Sequence, residues 1–330
     1  MPTNPYAEKT VLVTGGTGSF GNFVVRRLLE LGAREVRVLS RDEKKQYDMR
    51  VFYQQRPDLA FIIGDVRSPA QLDEAMSGAH IIFHAAALKQ VPTCEQHPME
   101  AVRTNVLGAN NLIEAAMRHR LEAFVMISTD KAVKPVNVMG MTKALQERLV
   151  IKANQSRANH GTRFAAVRYG NVLRSRGSVI PHFRRQLQLN QQITITDERM
   201  TRFWITLQHG VNFVVTSFTV MRGGEIFVPK IPSMRIVDLA HCLAPGLPLR
   251  VVGIRPGEKL HEVMVTEDDS RLTLELGDRY VIEPAFAWWQ RTPYTASGAR
   301  PVPDGFRFTS DTNTDWLTDE RLCALVTEHA

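Results

Sequence analysis

A glycine-rich turn near the start of the chain limits the fold more than any other feature. Residues Thr10–Thr14 form a short run rich in β-branched side chains, and Gly15, Gly18 and Gly21 follow with GxxGxxG spacing. Periodic apolar residues then predict a helix over Asn22–Leu31. Glycine permits a tight turn and close approach of a pyrophosphate, whose charge the helix N-terminus favours. The pattern therefore predicts a dinucleotide site, although a plain βα turn fits the same spacing.

Strand-like and helix-like segments alternate after this turn. Short apolar runs predict further strands at Glu35–Leu39, Phe61–Asp65, Ile81–Ala87, Phe124–Ile127 and Phe164–Val172. Helical periodicity is present over Pro98–Arg118, about Gly140–Ala153 and Leu207–Met221, and Gly224–Pro229 is expected to be a strand that rejoins the sheet. This alternation predicts an α/β fold with a doubly wound parallel sheet.

Composition excludes several classes of protein. The 330 residues are 44% hydrophobic and 23% charged, as in soluble globular proteins of one large or two modest domains. The formal charge is +7, but the cations are scattered, which favours a phosphate-binding site over a nucleic-acid surface. No apolar stretch reaches about 18 residues and the N-terminus lacks a signal-peptide pattern, so we expect no membrane span. Cys94, Cys242 and Cys323 lack metal-ligand spacing, so we expect reduced thiols, no metal and a cytoplasmic protein.

The loop after the second predicted strand bears on the choice of cofactor. Ser40, Arg41 and Lys45 favour NADP, because its additional phosphate requires nearby cations. Asp42 and Glu43 are carboxylates of the kind that bond the ribose of NAD, and a solvated charged loop is a further reading. The sequence therefore predicts NADP and leaves NAD as the alternative.

Two further strand ends extend the expected site. Asp65 ends the third predicted strand, where we expect it to contact an adenine ring. The small residues Ala85, Ala86 and Ala87 end the fourth strand and would let the main chain lie against a cofactor. His84 precedes them and is expected to be a structural histidine with its hydrogen bonds satisfied.

The strand predicted over Phe124–Ile127 is followed by a hydroxyl, a carboxyl and an amine in succession, on Thr129, Asp130 and Lys131. Ligands bind at the carboxyl ends of strands in an open parallel sheet. A proton-transfer site is one reading of this group. A surface Asp–Lys pair is the other.

The helix that follows, from about Gly140 to Ala153, has a predicted apolar stripe of Leu145, Leu149, Val150 and Ala153. Met139 and Lys143 are four residues apart, so they share a face of its first turn. A second amine would thus face the strand end that carries Asp130 and Lys131.

The second half of the sequence is rich in arginine. Arginine forks suit the paired phosphates of a nucleotide diphosphate, although a solvated face has the same composition. The residues concerned are Arg174, Arg176, Arg184, Arg185, Arg199 and Arg202. Arg255 and Lys259, on a predicted turn and helix start over Ile254–Glu262, are further candidates. From Glu283 onwards weak periodicity predicts an irregular tail that packs on a second domain or a neighbouring subunit.

Short motifs spread in order over most of the chain resemble those of the extended short-chain dehydrogenase/reductase superfamily, and within it the UDP-N-acetylglucosamine 4,6-dehydratases. They are Thr14–Gly21, Ser40–Glu43, Gly64–Val66, His84–Lys89, Ser128–Lys131, Arg168–Val172, Ser175–Val179, Met200–Phe203 and Arg255–Lys259. The chain is most similar to the configuration-inverting branch, which feeds pseudaminic acid and related bacterial surface sugars. The segment Gly223–Ser233 and the tail also resemble that branch.

This resemblance implies a Rossmann-type doubly wound sheet with a smaller C-terminal substrate domain. The NADP-binding domain is expected to cover residues 1–170 and roughly 205–231, and the UDP-sugar domain and tail residues 171–204 and 232–330. It also implies resident NADP, UDP-N-acetylglucosamine as substrate, and a homo-oligomer, either a dimer or a hexamer.

Motif positions carry the implied binding residues. Those expected at the cofactor are Gly15, Thr17, Gly18, Ser19, Phe20, Gly21, Ser40, Arg41, Lys45, Asp65, Val66, Ala85, Ala86, Ala87, Lys89 and Lys143. Those expected at the substrate are Lys89, Thr129, Asn171, Arg176, Val179, Arg199, Thr201, Arg255 and Glu258.

The resemblance also implies roles in catalysis. Oxidation at carbon 4 acidifies the hydrogen at carbon 5, which Lys131 removes while Asp130 protonates the departing 6-hydroxyl; hydride then returns to carbon 6. Thr129 would bond the 4-hydroxyl, and Lys143 would bind the nicotinamide ribose. These roles require the pKa of Lys131 to fall below its reference of about 10.4 and the pKa of Asp130 to rise.

Met139 stands where the superfamily has the tyrosine of its Tyr-x-x-x-Lys motif. A thioether is neither an acid nor a base, so Lys131 is expected to take the 4-hydroxyl proton as well. Some dehydratases of this group also carry methionine there. The alternatives are a UDP-sugar 4-epimerase, which needs no acid–base pair for water elimination, and a catalytically retired NADP-binding protein.

Overall fold

The computed structural model describes residues 4–173, 178–189, 191–290 and 292–328. Its strands are β1 (Thr10–Thr14), β2 (Glu35–Ser40), β3 (Leu59–Ile63), β4 (Ile81–His84), β5 (Ala123–Ile127), β6 (Arg163–Val167), β7 (Asn171–Val172), β8 (Thr194–Ile195), β9 (Thr201–Ile205), β10 (Ile226–Pro229), β11 (Ser233–Arg235), β12 (Arg250–Val251), β13 (Val263–Val265), β14 (Thr273–Leu276), β15 (Arg279–Ile282), β16 (Arg300–Pro301) and β17 (Phe308–Thr309).

The helices are α1 (Ser19–Glu30), α2 (Glu43–Phe52), α3 (Pro69–Met76), α4 (Val91–Gln96), α5 (Pro98–Ala101), α6 (Gly108–Arg118), α7 (Val138–Ala153), α8 (Val179–Gln188), α9 (Leu207–Val220), α10 (Ile236–Leu243), α11 (Thr292–Ala296) and α12 (Asp319–Glu328). A π-helical segment, Val102–Leu107, joins α5 to α6. Asp130–Ala132 and Ser270–Leu272 are short 3₁₀ turns. In the described parts of the chain, no helix is both long and apolar enough to cross a membrane.

Most strands belong to one large sheet, which has ten strands in the described residues, in the order β16-β14-β15-β10-β6-β5-β4-β1-β2-β3. Neighbouring strands pair in parallel in the part β10-β6-β5-β4-β1-β2-β3. Beyond β10, strands β15, β14 and β16 extend the sheet with antiparallel pairing. The strand order reverses direction between β1 and β4, which opens a crevice at their carboxyl ends. The predicted doubly wound parallel sheet is confirmed.

Burial of apolar side chains fixes the central strands. Every residue of β1 and of β5 is buried, and the rings of Phe124 and Phe164 on neighbouring strands lie 5.4 Å apart. Each fully buried side chain of this size contributes roughly 1.5–3 kcal/mol relative to exposure. The stripe of α1 that faces the sheet is the predicted one: Val24, Val25, Leu28 and Leu29.

A second hydrophobic cluster lies beside the small sheet β11-β9-β7. It draws on α8, β9, α10 and α12, through side chains such as Phe183, Trp204, Leu239 and Leu322. The antiparallel strands β14, β15 and β16, which lie in the predicted second domain, extend the large sheet, and Leu274 and Val281 pack into its core. The domain boundaries themselves stay a prediction.

Several elements differ from the predicted bounds. The third strand ends at Ile63, so Asp65 lies in the loop after it, and the fourth ends at His84. The helix predicted over Pro98–Arg118 is interrupted by its π-helical segment. The strand predicted over Phe164–Val172 ends at Val167, and β7 pairs with β9 instead. Gly170 permits this crossing, because a Cβ there would lie 2.5 Å from the Cβ of Phe203.

The predicted stripe of α7 is wrong in part. Leu145 is 49% exposed, whereas Val150 and Ala153 are buried and Leu149 is partly buried. The buried face includes four polar residues instead: Thr142, Lys143, Gln146 and Glu147. They are tolerated inside because each forms hydrogen bonds or an ion pair with other buried groups.

The tail is more regular than predicted. β16 pairs with β14 at the edge of the large sheet, β17 pairs with β13, and α12 packs against α10 in the second cluster. In contrast, no helix starts within Ile254–Glu262, where the described chain forms turns. Long-range packing orders the tail, and such contacts leave little periodicity in a sequence.

The expectation of reduced thiols is wrong for two of the cysteines. Cys242 of α10 and Cys323 of α12 form a disulfide, with their Cα atoms 5.2 Å apart. They are separated by 81 residues, so the packing of the two helices brings them together and sequence spacing gives no hint of it. Cys94 is free and buried.

Replacing Cys242 and Cys323 together by Ser should lower the free energy of unfolding by about 2–4 kcal/mol, because the cross-link restricts the unfolded chain. Urea denaturation without reductant measures the difference, and wild type treated with reductant should match the variant. Thiol titration of the denatured wild type should detect only Cys94 before reduction. Titration of all three cysteines before reduction would contradict the cross-link.

Candidate active site

A cleft of about 1440 Å³ crosses the carboxyl ends of β1, β2, β4 and β5 and continues towards the second cluster. This volume exceeds the roughly 300–1,000 Å³ usual for one small ligand, so two ligands can lie in it together. Among the described residues, no group of three His, Cys, Asp or Glu side chains is placed to hold a metal ion.

The glycine-rich turn forms one end of the cleft. Gly15 has a φ of +69°, and a Cβ there would lie 2.8 Å from the main-chain nitrogen of Ala86. α1 starts directly after the turn, and no side chain caps it at Gly18. Main-chain amides at a helix N-terminus therefore face the cleft, which fits the pyrophosphate of a dinucleotide. The assigned residues that line this end are Gly15, Thr17, Gly18, Ser19, Phe20 and Gly21.

The end of β2 forms the adjacent wall, with Ser40 hydrogen-bonded into the glycine-rich turn. The side chain of Arg41 is 56% exposed and lies 3.6 Å from a carboxylate oxygen of Asp65. Lys45 pairs with Asp42, which caps the N-terminus of α2. This wall, to which Val66 also belongs, thus presents two cations whose charges two carboxylates partly neutralise.

The loop after β4 lines the middle of the cleft through Ala85, Ala86, Ala87 and Lys89. Burial lowers the pKa of Lys89. His84 is fully buried, with Nδ1 2.7 Å from Thr14 Oγ1 and Nε2 accepting from the Gln146 amide at 2.8 Å. Burial, with the nearby Lys143 charge, lowers its pKa to about 3. The structural reading of His84 is confirmed.

The end of β5 brings the predicted acid and amine together. Asp130 Oδ1 accepts hydrogen bonds from Thr129 Oγ1 at 2.9 Å and from Lys131 Nζ at 3.0 Å. Lys131 Nζ also donates to Asn171 Oδ1 at 3.1 Å. Thr129 and Lys131 line the cleft, whereas Asp130 is fully buried. Asp130 Oδ2 is buried without a hydrogen-bond partner among the described residues, and a proton on this oxygen would remove the charge that burial disfavours.

The pKa values of this pair shift in the same direction. Burial raises the pKa of Asp130, and the attraction of Lys131 does not cancel it. Burial lowers the pKa of Lys131, but the charges of Asp130 and Glu262 outweigh burial and raise it. The lowered pKa expected for Lys131 is therefore wrong. Glu262, whose Oε1 lies 3.5 Å from Lys131 Nζ, is not among the predicted site residues.

The start of α7 faces this pair. Asn137 caps the helix by accepting from the Gly140 amide at 2.7 Å. Lys143 Nζ donates to the Ile127 carbonyl at 2.8 Å, and burial lowers its pKa to about 8. Met139 lines the cleft and packs in a small buried cluster, so the side chain at the tyrosine position offers no acid or base.

A buried ion pair holds α7 to the sheet. Arg168, just after β6, makes two hydrogen bonds to the carboxylate of Glu147, at 2.9 and 2.8 Å. Ser128, next to Thr129 at the end of β5, donates to the same carboxylate. Sequence reasoning missed this network, although the polar residues at helical spacing, Lys143, Gln146 and Glu147, were a visible sign of it.

Not all of the residues predicted to bind a substrate line the cleft. Those that line the cleft are Lys89, Thr129, Asn171, Val179, Arg255 and Glu258. Arg199 does not line it, because its exposed guanidinium is held by Asp197. Thr201 is also absent from the lining, because it is buried and bonds His261 and Ser310. Arg176 lies outside the described residues.

Glu262 is the main residue of the site that sequence reasoning missed. It is buried, lines the cleft and lies within 3.5 Å of Lys131. Lys259, predicted to bind an anion, is instead paired with Glu262 at 3.1 Å. The motif Arg255–Lys259 pointed to this segment, but no spacing rule connects Glu262 with Lys131 in the turn after β5.

Comparison with known proteins agrees with this geometry. The model of a family described as polysaccharide biosynthesis protein matches residues 11–284. The chain belongs to this family. A UDP-N-acetylglucosamine 4,6-dehydratase (inverting) of Campylobacter jejuni is 44% identical, over 97% of this chain and 98% of its own length. A UDP-glucose 4-epimerase of Rickettsia canadensis is 48% identical, over 84% of this chain and 83% of its own length.

Solved structures of related proteins have the same fold. The X-ray structure of Pen from Bacillus thuringiensis matches with a TM-score of 0.91 at 33% identity, over 98% of this chain and 99% of that one. The dTDP-glucose 4,6-dehydratase DesIV of Streptomyces venezuelae, with NAD and TYD bound, matches with a TM-score of 0.69 at 22% identity, over 76% and 86% of the two chains. The resemblance to the extended short-chain dehydrogenase/reductase superfamily is confirmed.

Replacing Glu147 by Gln should lower the free energy of unfolding by about 3–5 kcal/mol, because the Arg168 guanidinium would remain buried without its carboxylate. Urea denaturation gives the value. The control is Glu114→Gln on α6, an exposed side chain bonded to Asn110, for which we expect a change below about 0.5 kcal/mol. Equal effects of the two substitutions would show that the buried pair does not stabilise the fold.

Proposed function

We propose that the chain is a UDP-N-acetylglucosamine 4,6-dehydratase of the inverting type. It would form a UDP-2-acetamido-2,6-dideoxy-hexos-4-ulose for bacterial surface-polysaccharide or flagellin sugars. The observation that carries the proposal is the hydrogen-bonded pair of Asp130 and Lys131 at the end of β5, beside a cleft with room for two ligands. The Campylobacter jejuni relative, matched over nearly its whole length, supports the substrate.

The proposed resident cofactor is NADP, which would accept a hydride from the sugar and return it. Its pyrophosphate would lie on the glycine-rich turn of residues 15–21, and Arg41 and Lys45 would face its additional phosphate. Asp65 and Val66 would lie at the adenine, and residues 85–87 with Lys89 along the middle of the molecule. Lys143, anchored to the end of β5, would bind the nicotinamide ribose. NAD is the competing cofactor, and DesIV contains it.

Asp130 and Lys131 are the proposed acid and base. Transfer of the Lys131 proton to Asp130, across 3.0 Å, yields a neutral amine and a protonated carboxyl together. The amine then removes the proton at carbon 5, and the carboxyl supplies the proton for the 6-hydroxyl. The raised pKa of Lys131 opposes this transfer and the raised pKa of Asp130 favours it. Once Asp130 is protonated, its charge no longer raises the pKa of the neighbouring amine.

Thr129 is proposed to pass protons in two steps, the oxidation at carbon 4 and the loss of the 6-hydroxyl. Its hydroxyl lines the cleft and donates to Asp130 at 2.9 Å. When Asp130 is protonated, this hydroxyl can turn to accept a hydrogen bond from the carboxyl and pass its own proton to the sugar. With Met139 at the tyrosine position, Lys131 is also the proposed base for the 4-hydroxyl, directly or through Thr129.

The substrate would occupy the part of the cleft nearer the second cluster, in line with the predicted UDP-sugar domain. Asn171, Val179, Arg255 and Glu258 line that part, and Arg255 is the proposed diphosphate contact. We also propose a homo-oligomer that acts in the cytoplasm, where thiols are usually kept reduced and the Cys242–Cys323 disulfide would be an exception. The exposed apolar side chains of Met141 and Leu145 on α7 support self-association.

Incubation of the purified protein with UDP-N-acetylglucosamine and NADP tests the proposed activity. Mass spectrometry should show a product lighter than the substrate by one water. The Rickettsia relatives make UDP-sugar 4-epimerase the second candidate, and epimerisation leaves the mass unchanged. No product at all would favour a retired NADP-binding protein. Proton NMR of the product formed in deuterated water assigns the configuration at carbon 5.

Replacing Arg41 by Asp should weaken NADP binding by about 1.5 kcal/mol. This is the lower end of the range for hydrogen bonds to charged groups, as expected for a side chain more than half exposed. Calorimetry with NADP and NAD measures both affinities, and NAD should bind the variant no more weakly than the wild type. Nucleotide released by denaturing the wild type provides a direct control, and NAD as its sole species would contradict the proposed cofactor.

Replacing Lys131 by Ala should abolish turnover, whereas Met139→Ala should be milder. Loss of a general base costs about 10²–10⁴ in rate, and the methionine contributes only packing. Both variants are assayed with their NADP content measured, so that a lost cofactor is not mistaken for lost chemistry. Near-normal turnover by Lys131→Ala, or equal losses in the two variants, would overturn the assignment of the base.

A further inference from the structure

Glu262 contacts the proposed base from the opposite half of the cleft. Its Oε1 lies 3.5 Å from Lys131 Nζ, and only 2% of the residue is exposed. Asp130 and Asn171 hold the same amine at 3.0 and 3.1 Å. The amine is therefore surrounded by three oxygens from three separate parts of the chain, which fixes its position better than the flexible lysine stem could.

The segment that carries Glu262 is attached to the loop that carries Lys131. Asn137, the cap of α7, donates to the Gly257 carbonyl at 2.7 Å. Lys259 Nζ donates to the Val133 carbonyl, also at 2.7 Å. Both contacts lie within a few residues of Lys131, so the ion pair with Glu262 is the third link between the same two segments.

The main chain at Glu262 is also held from behind. Its amide donates to Ser310 Oγ at 2.9 Å, and its carbonyl accepts from the Ser310 amide at 2.8 Å. Thr201 Oγ1 lies 2.7 Å from the same serine hydroxyl. Thr201, which the sequence placed at the substrate, thus supports Glu262 instead.

Charges around the cluster favour different protonation states of its two acids. Lys131, Arg202 at 3.9 Å and Lys259 at 3.1 Å surround Glu262. Burial alone would raise the pKa of Glu262, but these cations lower it. Burial and the charge of Glu262 raise the pKa of Asp130. Glu262 thus stays ionised, and Asp130 is the acid that can hold a proton.

We propose that Glu262 is a positioning residue that holds the Lys131 amine towards the cleft. A role of this contact in catalysis rests on the proposed dehydration. The contact between Glu262 and Lys131 is present whichever substrate the protein binds. Because Arg255 and Glu258 line the cleft on the same segment, correct placement of that segment would orient the substrate and the base together.

Competitive labelling of the full chain with acetic anhydride over a range of pH tests the contact without any turnover. Peptide mass spectrometry gives the pH at which Lys131 becomes reactive. In Glu262→Gln this midpoint should fall by about 1–3 pH units, because the variant loses an opposite charge while burial and Arg202 still disfavour the ammonium form. The matched control is Glu225→Gln, a buried carboxylate bonded to Tyr294. It should leave the midpoint at the wild-type value.

Steady-state assays then test whether the contact between Glu262 and Lys131 affects turnover. Glu262→Gln should lower kcat by up to about 10²-fold, because the base is misplaced, with little change in KM for UDP-N-acetylglucosamine. If that variant does not fold, Glu262→Asp replaces it, and both the labelling midpoint and kcat should fall below the wild-type values. Unchanged labelling of Lys131 overturns the proposal. A shifted midpoint in a protein without dehydratase activity upholds the contact and refutes only the proposed function.

Discussion

The buried polar face of α7 is the constraint on which the rest of the site depends. Lys143 donates a hydrogen bond to the last carbonyl of β5, and Gln146 donates one to His84, the residue that ends β4. Glu147 binds Arg168 after β6 and Ser128 beside the proposed acid and base. One helix thus sets the relative positions of three strand ends, each of which contributes a wall of the cleft.

Such a face stabilises only if every group on it finds its partner. A charge transferred to a protein interior is expensive, and the attraction between Glu147 and Arg168 offsets that expense only in good geometry. An α7 rotated about its axis would leave several charges unpaired. The buried polar residues therefore disfavour wrong packings of the helix, which an apolar stripe would tolerate more readily.

Much of the fold and part of the site could be predicted from the sequence, because the signals were local. Each signal involves residues that are only a few positions apart, as in the glycine spacing, the runs of β-branched residues and the Thr129–Lys131 succession. The missed features all join distant residues. The Cys242–Cys323 disulfide depends on the packing of two helices, and the raised pKa of Lys131 depends on Glu262. In α7, tertiary hydrogen bonds overrode the apolar pattern and left Leu145 exposed.

The antiparallel extension of the large sheet also affects the order in which the chain can be completed. β14, β15 and β16 all come from residues after 272, yet β15 covers the edge of β10, which ends 50 residues before β15 begins. During synthesis, the parallel strands can assemble while that edge remains unpaired. The free N–H and C=O groups of an unpaired strand edge can pair with another chain and cause aggregation. Once the last part of the chain is made, the pairing of β15 with β10 removes this edge and lowers the risk of aggregation, a task separate from the cleft.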